Sequence, residues 1–458
     1  MPTPTSVPAI VPPLDPGFRP AVLANRAFRS AALNSGNAIN VRLGLERPDG
    51  GISTYETVTH ADAAANYGHL ERLVKFLLWQ RGASVLLVSG PPALAEYLGN
   101  VYAPRGTRAF DYHFMSRVYE TPFRVAHAEA VPETSEPTVT LGRHLEGNRI
   151  GFDLGASDYK VSAVVDGDPV FTAEYPWMPR HATAVSYHFD HISSGLRTAA
   201  AHLPAVDAIG GSSAGVWIDN RVRVASLFRG LSPEEFQSAA DLFVRIEREW
   251  GVPVNVVNDG EVTALAGSMS LGANAVLGIA MGSSEAAGYV TRGGGITRWL
   301  NELAFAPIDY QDAAPADEWS GDVGCGVQYF CQTGVIRLAA RAGVDLDPGL
   351  TPAEKLVVIQ DLMEEGDERV SAIYETIGVW FGYALAHYAD FYDIDHVLVL
   401  GRVTSGQGGE IIVQRARRVL DSEFPELKME LHTPDERMKR VGQSVAAASL
   451  PELREERA

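Results

Sequence analysis

Two stretches of this chain share one plan, and that plan limits the fold more than anything else in the sequence. Ile150 to Val165 reads as an apolar strand, a glycine turn carrying polar side chains, and a returning strand; Ala275 to Arg292 reads the same way. In the first, IGFDLGASDYK, glycine lets the turn adopt positive φ and brings backbone N–H groups close to an anion. Asp153 stands at the mouth, placed to hold Mg²⁺ through water, and Ser157 and Lys160 are within reach of phosphate oxygens. A plain β-hairpin with a polar tip explains this one stretch equally well. The recurrence, with helices after each hairpin, points to a duplicated α/β architecture with a ligand cleft between two lobes.

The chain order fits that plan. Met1 to Pro20 is proline-rich, and residues 1–29 are expected to form a flexible arm. Residues 30–128 read as an accessory α/β unit, with strands over 39–45 and 52–59, a helix over 70–79, a strand over 84–88 and a short helix from Pro92. Residues 129–148 are rich in Pro, Thr, Glu and Gly, a linker by composition. The first lobe is expected over 149–268, the second over 269–436, and a C-terminal helix and tail over 437–458. Ser232-Pro233-Glu234-Glu235 and Thr351-Pro352-Ala353-Glu354 are capping-box helix starts, the first helix predicted to run to Trp250. Val254 to Val257 is a buried strand ending at Asn258-Asp259, directly before a helix.

With 458 residues, the chain has room for two or three domains. Its net charge of −19 argues against a nucleic-acid partner, although a local site for a small anion remains compatible with it. No run approaches the length of a membrane span, and no signal pattern opens the chain, so a cytoplasmic protein is expected. The two cysteines, Cys325 and Cys331, allow one disulfide but no disulfide framework.

From Arg149 to Pro451 the motifs, in order, resemble the ROK family (repressors, open reading frames and kinases) of the hexokinase, actin and heat-shock ATPase superfamily. Asp153, Gly155, Ser157 and Lys160 match its first phosphate motif, and Asn258-Asp259 its Asn-Asp pair. Gly282-Ser283-Ser284 matches the second phosphate motif, and Gly401 to Gly406, with Thr404, the adenosine-side turn. The resemblance implies a duplicated, two-lobed RNase H-like fold and ATP-dependent phosphorylation of a sugar or sugar-like polyol in carbohydrate metabolism. It implies Asp259 as general base and Asn258, Glu302, Ser213 and Gly215 as substrate contacts. ATP would be bound by both phosphate turns together with Gly401 and Thr404, with Mg²⁺ held through water by Asp153. A homo-oligomer, a dimer, is the expected assembly. Two alternatives stand beside this: Asn258-Asp259 as a simple helix N-cap, and a catalytically weak sugar-binding regulator of the same fold.

Departures from the family pattern carry their own expectations. Where the family has Gly-Glu-x-Gly-His, this chain has Asn301-Glu302-Leu303-Ala304-Phe305, so its zinc-binding histidine is a phenylalanine. The zinc loop has shrunk to Gly324-Cys325-Gly326, with Cys331 beyond, and no zinc is expected because a structural site needs four ligands. The cysteines are expected as buried thiols. The second phosphate motif carries Glu285, Ala286 and Ala287 where the family is richer in glycine. The accessory unit has no Asp-x-Gly turn. It is expected to bind no nucleotide and to pack on the lobes or on a second subunit through Leu70, Leu73, Val74, Leu77 and Leu78.

Overall fold

The computed structural model describes residues 7–61, 63–136, 141–434 and 436–453. Residues 1–6 of the expected arm, 137–140 of the expected linker and 454–458 of the expected tail lie outside them.

The accessory unit runs α1 (Ala21–Asn34), β1 (Ile39–Glu46), β2 (Ile52–Thr59), α2 (Ala63–Arg81), β3 (Val85–Ser89), α3 (Pro92–Val101), α4 (Ala109–Val118) and β4 (Arg124–His127). Its sheet has the order β2-β1-β3-β4, with only β3 and β4 parallel. The first lobe holds β5 (Asn148–Leu154), β6 (Asp158–Val165), β7 (Asp168–Pro176), α5 (Val185–Ala200), β8 (Ala208–Ser213), β9 (Val216–Ile218) and β10 (Arg221–Val224). It continues through α6 (Pro233–Ala240), α7 (Leu242–Trp250), β11 (Val254–Asn258) and α8 (Asp259–Leu271). The second lobe holds β12 (Val276–Met281), β13 (Glu285–Val290), α9 (Gln332–Arg341), α10 (Pro352–Glu364), α11 (Glu368–Tyr388), β14 (His396–Leu400), α12 (Gln407–Glu423) and β15 (Glu430–His432). The last helix, α13 (Glu436–Ala448), broken at Gly442, lies across β5 and β8 of the first lobe.

The lobe sheets have the orders β11-β8-β5-β6-β7 and β13-β12-β14-β15. In each, one strand pairs antiparallel with its hairpin partner and parallel with a later strand: β5 with β6 and β8, β12 with β13 and β14. That is the duplicated plan expected of the sequence. Among the described residues no helix is long and apolar enough to cross a membrane.

The structure corrects the expected arm. From residue 7 onward it is packed chain, and α1 begins inside it, because Ala21–Asn34 has neither Pro nor Gly and presents Val22, Phe28 and Ala32 to the interior. Phe18 is fully buried, with ring centroids 6.2, 6.4 and 6.0 Å from Tyr329, Trp380 and Tyr383. The segment expected as a linker is also tied down: Ser135 bridges Ile52, and Gly142 and His144 donate to carbonyls of Leu450 and Ser449.

The helix predicted from Pro233 to Trp250 is two helices. Asp241 leaves helical geometry and pairs with Arg221, which turns Leu242, Phe243 and Ile246 into the core of the first lobe. Ser232 caps α6 through the Glu235 N–H, but the Glu235 carboxylate accepts from the Val185 N–H and so serves α5 instead. The capping box at Thr351 and Glu354 is complete.

The accessory unit and the second lobe share one continuous core, whereas the first lobe has its own. Leu70, Leu73, Val74, Leu77 and Leu78 are each at most 2% exposed. The two lobes meet where α8 crosses to β13. A Cβ at Gly260 would strike the Ala287 carbonyl and one at Gly288 the Gly260 carbonyl, so this backbone contact requires glycine at both positions.

Candidate active site

β11, β8 and β5 are parallel neighbours and end at one edge, with Leu154, Ser213 and Asn258 in register. One residue earlier, Asp153 faces Ser212. The Ser212 hydroxyl donates to Asp153 Oδ1 at 2.6 Å. Burial pushes the Asp153 carboxyl up to about 6, Ser212 opposes the shift, and the nearby Asp259 charge adds to it. Lys160, the cross-strand partner of Asp153, sends its ammonium to within 3.7 Å of Glu174 Oε2.

Asp259 opens α8, and the Gly260 N–H donates to its Oδ1 at 3.1 Å. Burial holds its carboxyl above the usual aspartate value. Asn258 is the N-cap of α8: its Oδ1 accepts from the Gly260 N–H at 2.7 Å and its Nδ2 donates to the Gly215 carbonyl at 2.8 Å. The cap therefore fixes both Asp259 and the Gly215 loop.

Glu302 joins Asp153 and Asp259 as a third carboxylate of one group. Burial raises it to about 7, and the Asp259 charge contributes. Its backbone is held by the accessory unit, since the Glu302 N–H donates to the Trp79 carbonyl at 3.0 Å and the Asn301 N–H to that of Gln80 at 2.9 Å. Glu261 and Glu285, on which the Glu302 charge also acts, are each raised by burial to about 8. Asn301 Nδ2 donates to Glu261, and the Tyr388 hydroxyl reaches Glu285 at 3.4 Å.

Three glycine turns lie at strand ends of the two lobes. In the first, the Gly155 N–H donates to the Asp158 carbonyl and the Ser157 hydroxyl to the Asp158 carboxylate, with Ser157 exposed. In the second lobe, Gly282, Ser283 and Ser284 form the open tip between β12 and β13. Gly401, at φ 106°, presses against Met281, so a side chain there would collide with the Met281 backbone. This contact sets the third turn beside the second, with Thr404 Oγ1 donating to the Gly401 carbonyl at 3.0 Å.

The segment around Phe305 and Asp322 to Cys325 packs against the accessory unit, with Arg72 donating to the Val323 carbonyl at 3.1 Å. Phe305 stacks on Trp79 with centroids 4.4 Å apart and also meets Phe110 and Phe114. Lys75 of α2 is fully buried, 2.9 Å from Asp111 Oδ1 and paired with Asp322. Burial would lower its ammonium, but Asp111, Cys325 and Asp322 outweigh that and raise it. Cys325 and Cys331 are free, buried thiols; burial pushes Cys325 up to about 11, and Cys331 Sγ donates to the Val327 carbonyl.

A cavity of about 410 Å³ opens beside Asn258 and Glu261. Asn258, Gly215 and Glu261 line it, together with Trp217 from the first lobe, Trp299 from the second and Arg47 from the accessory unit. Asp259, Glu302 and Ser213 do not. Ser213 is fully buried with its hydroxyl unpartnered, and the serine bonded to Asp153 is its neighbour Ser212. Sequence reasoning missed Ser212 and Glu261, and read Glu285 only as a departure from the second phosphate motif. Only the first left a usable signal, because parallel pairing of two strand ends places Asp153 and Ser212 side by side.

No protein-family profile matches the sequence, and no curated protein matches it. Solved structures do. A ROK family glucokinase from Streptomyces griseus, in complex with glucose and AMPPNP, superposes at a TM-score of 0.50 with 20% identity, over 66% of this chain and 98% of that chain. A ROK hexokinase from Thermus thermophilus gives 0.52 and 17%, over 66% and 96%. The chain has the fold of the ROK sugar kinases. The ROK fold is not confined to kinases: a ROK family transcriptional regulator, a homolog of the E. coli MLC protein, matches at 0.50 and 16% identity, over 67% of this chain and 79% of that chain.

Proposed function

We propose that this protein transfers the γ-phosphoryl group of ATP to a hydroxyl of a sugar or sugar-like polyol, with Asp259 as general base. The observation that carries this reading is the placement of Asp259: it follows Asn258, which is in register with Ser213 at the strand edge that also bears Asp153, and its charge acts on both Asp153 and Glu302. A base for phosphoryl transfer belongs between the group that neutralises phosphate and the group that orients the acceptor. Asp153 fits a hydrated Mg²⁺, since Ser212 holds one carboxylate oxygen and no other hydrogen bond to it occurs among the described residues. Mg²⁺ bound there would supply neutralisation of phosphate charge. Lys160, Ser157 and the turns at Gly155, Gly282 to Ser284 and Gly401 to Thr404 would hold the phosphates and nucleotide. Asp259 takes the acceptor proton, and Glu302 accepts a hydrogen bond from a second hydroxyl. Asn258 keeps Asp259 and the Gly215 loop in register, and the far part of the acceptor extends past them into the adjoining cavity.

A coupled ADP-release screen over hexoses, amino sugars and inositols tests this. On the acceptor so found, Asp259→Asn should keep ATP binding and lower kcat by about 10²–10⁴-fold, the usual contribution of acid–base assistance. Near wild-type turnover would remove Asp259 from the mechanism. A sugar-binding regulator is the second reading, favoured by the buried Glu285 at the foot of the second turn. Sugar binding by calorimetry without ADP release from any acceptor would select it.

A further inference from the structure

His396 opens β14, and Glu430 and His432 bracket β15, its parallel neighbour at the sheet edge. The register pairs His396 with Glu430 and Leu398 with His432, which brings three side chains of ligand type together from positions far apart in the chain. His396 Nδ1 and His432 Nε2 are 3.1 Å apart, and Glu430 Oε2 is 3.8 Å from the first and 3.7 Å from the second. Around a tetrahedral metal with bonds of about 2.0–2.2 Å, neighbouring ligand atoms lie about 3.3–3.6 Å apart. The three donor atoms thus already stand close to three corners of such a tetrahedron, and Glu430, the most exposed, needs to move by only a few tenths of an ångström.

We propose that His396, Glu430 and His432 bind one divalent transition-metal ion, zinc by the chemistry of the set, with water in the fourth position. Two imidazoles and one carboxylate suit zinc, cobalt or nickel and not Mg²⁺, which prefers an all-oxygen shell. Both imidazoles are about a quarter exposed, so an ion can enter from solvent. Arg417 is the nearby cation. Its guanidinium donates to the Leu431 carbonyl at 2.7 Å and is thereby held on the β15 backbone.

The site lies at the opposite end of β14 from Gly401, so its role is not in phosphoryl transfer. β15 is a three-residue edge strand, and the chain after it leads to α13, which crosses to the first lobe. An ion here clips that strand to β14. This site is unrelated to the cysteine loop, where zinc was not expected.

The test uses untagged full-length protein, stripped with chelator and titrated with Co²⁺ and then Zn²⁺. Tetrahedral Co²⁺ absorption at one ion per chain, displaced by Zn²⁺, is expected, with a rise of several degrees in the melting temperature. His396→Ala and His432→Ala should each weaken binding at least tenfold and Glu430→Gln several-fold, while a Cys325→Ser/Cys331→Ser variant binds as wild type. Glu430 is exposed, so its variant stays folded even should a histidine variant fail to. Absence of stoichiometric metal, or binding unchanged in Glu430→Gln and His432→Ala, or binding lost with the cysteines, would overturn the proposal.

Discussion

Lys75→Met is the sharpest test of what the accessory unit does for the site. Lys75 is fully buried and shared by Asp111, itself fully buried, and Asp322. At the 2.9 Å separation from Asp111, a charge pair attracts by about 6 kcal/mol at an effective dielectric of about 20. Desolvation of both ions offsets much of that. Removing only the cation leaves the offset in place without the attraction. Asp322 keeps Arg108, but Asp111 is left with the Trp79 indole N–H. The expected loss is about 3–5 kcal/mol, the usual range for orphaning a buried charge, against a total stability of about 5–15 kcal/mol. The accessory unit should therefore loosen before the lobes unfold. Loosening releases the Trp79 and Gln80 carbonyls from Glu302 and Asn301, so the acceptor KM should rise while the nucleotide KM holds. Adding Asp111→Asn removes the orphaned charge and should recover most of the loss. Urea unfolding and steady-state kinetics on the single and double variants provide the readout. A single variant within about 1 kcal/mol of wild type, or a double variant no better than the single, refutes the reasoning.

Four further outcomes are expected. Activity should climb with pH through the interval from about 6 to about 7 set by Asp153 and Glu302, because protonation below it removes the charges that receive Mg²⁺ and the acceptor hydroxyl. Stability should move the other way: Glu261 and Glu285 hold their protons more tightly folded than unfolded, so their contribution is present below the ordinary glutamate value and lost as pH rises through about 8. A flat kcat/KM profile from pH 5.5 to 8, or unfolding free energies that increase over that range, would contradict these. Ser212→Ala removes the hydrogen bond that opposes the Asp153 shift, so the Mg²⁺ requirement should rise and the acidic limb move to higher pH, with the acceptor KM little changed. Removing residues 1–145 strips the shared core of Phe18, Leu73, Val74 and Leu77 and should give aggregated or misassembled protein by light scattering; a soluble, fully active truncation would make the unit an appendage.

The lobes were legible from local chemistry. A strand, a glycine turn and a returning strand satisfy their own hydrogen bonds within a few residues, so Ile150 to Val165 and Ala275 to Arg292 declare themselves. Helix starts at Thr351 and Asn258 likewise depend on side chains that cap N–H groups two or three residues away. The Asn-Asp pair could be read both as a cap and as a functional pair; Asn258 does cap α8, and Asp259 is buried at its first turn, where its charge acts on Asp153. What lay beyond the sequence depends on contacts between distant segments. Nothing near Phe18 in the chain says that it is enclosed by Tyr329, Trp380 and Tyr383, so a proline-rich segment read as an arm. Nothing near Phe305 says that Trp79 stacks on it, or near Cys325 that the ammonium of Lys75 lies beside it. Glu261 and Glu285 look like ordinary charged residues until tertiary packing takes their water away, and with it their usual pKa. His396 and His432 become neighbours only because β15 pairs with β14 in one register. Local hydrogen bonding is written in consecutive residues, whereas desolvation and the meeting of side chains are properties of the closed fold.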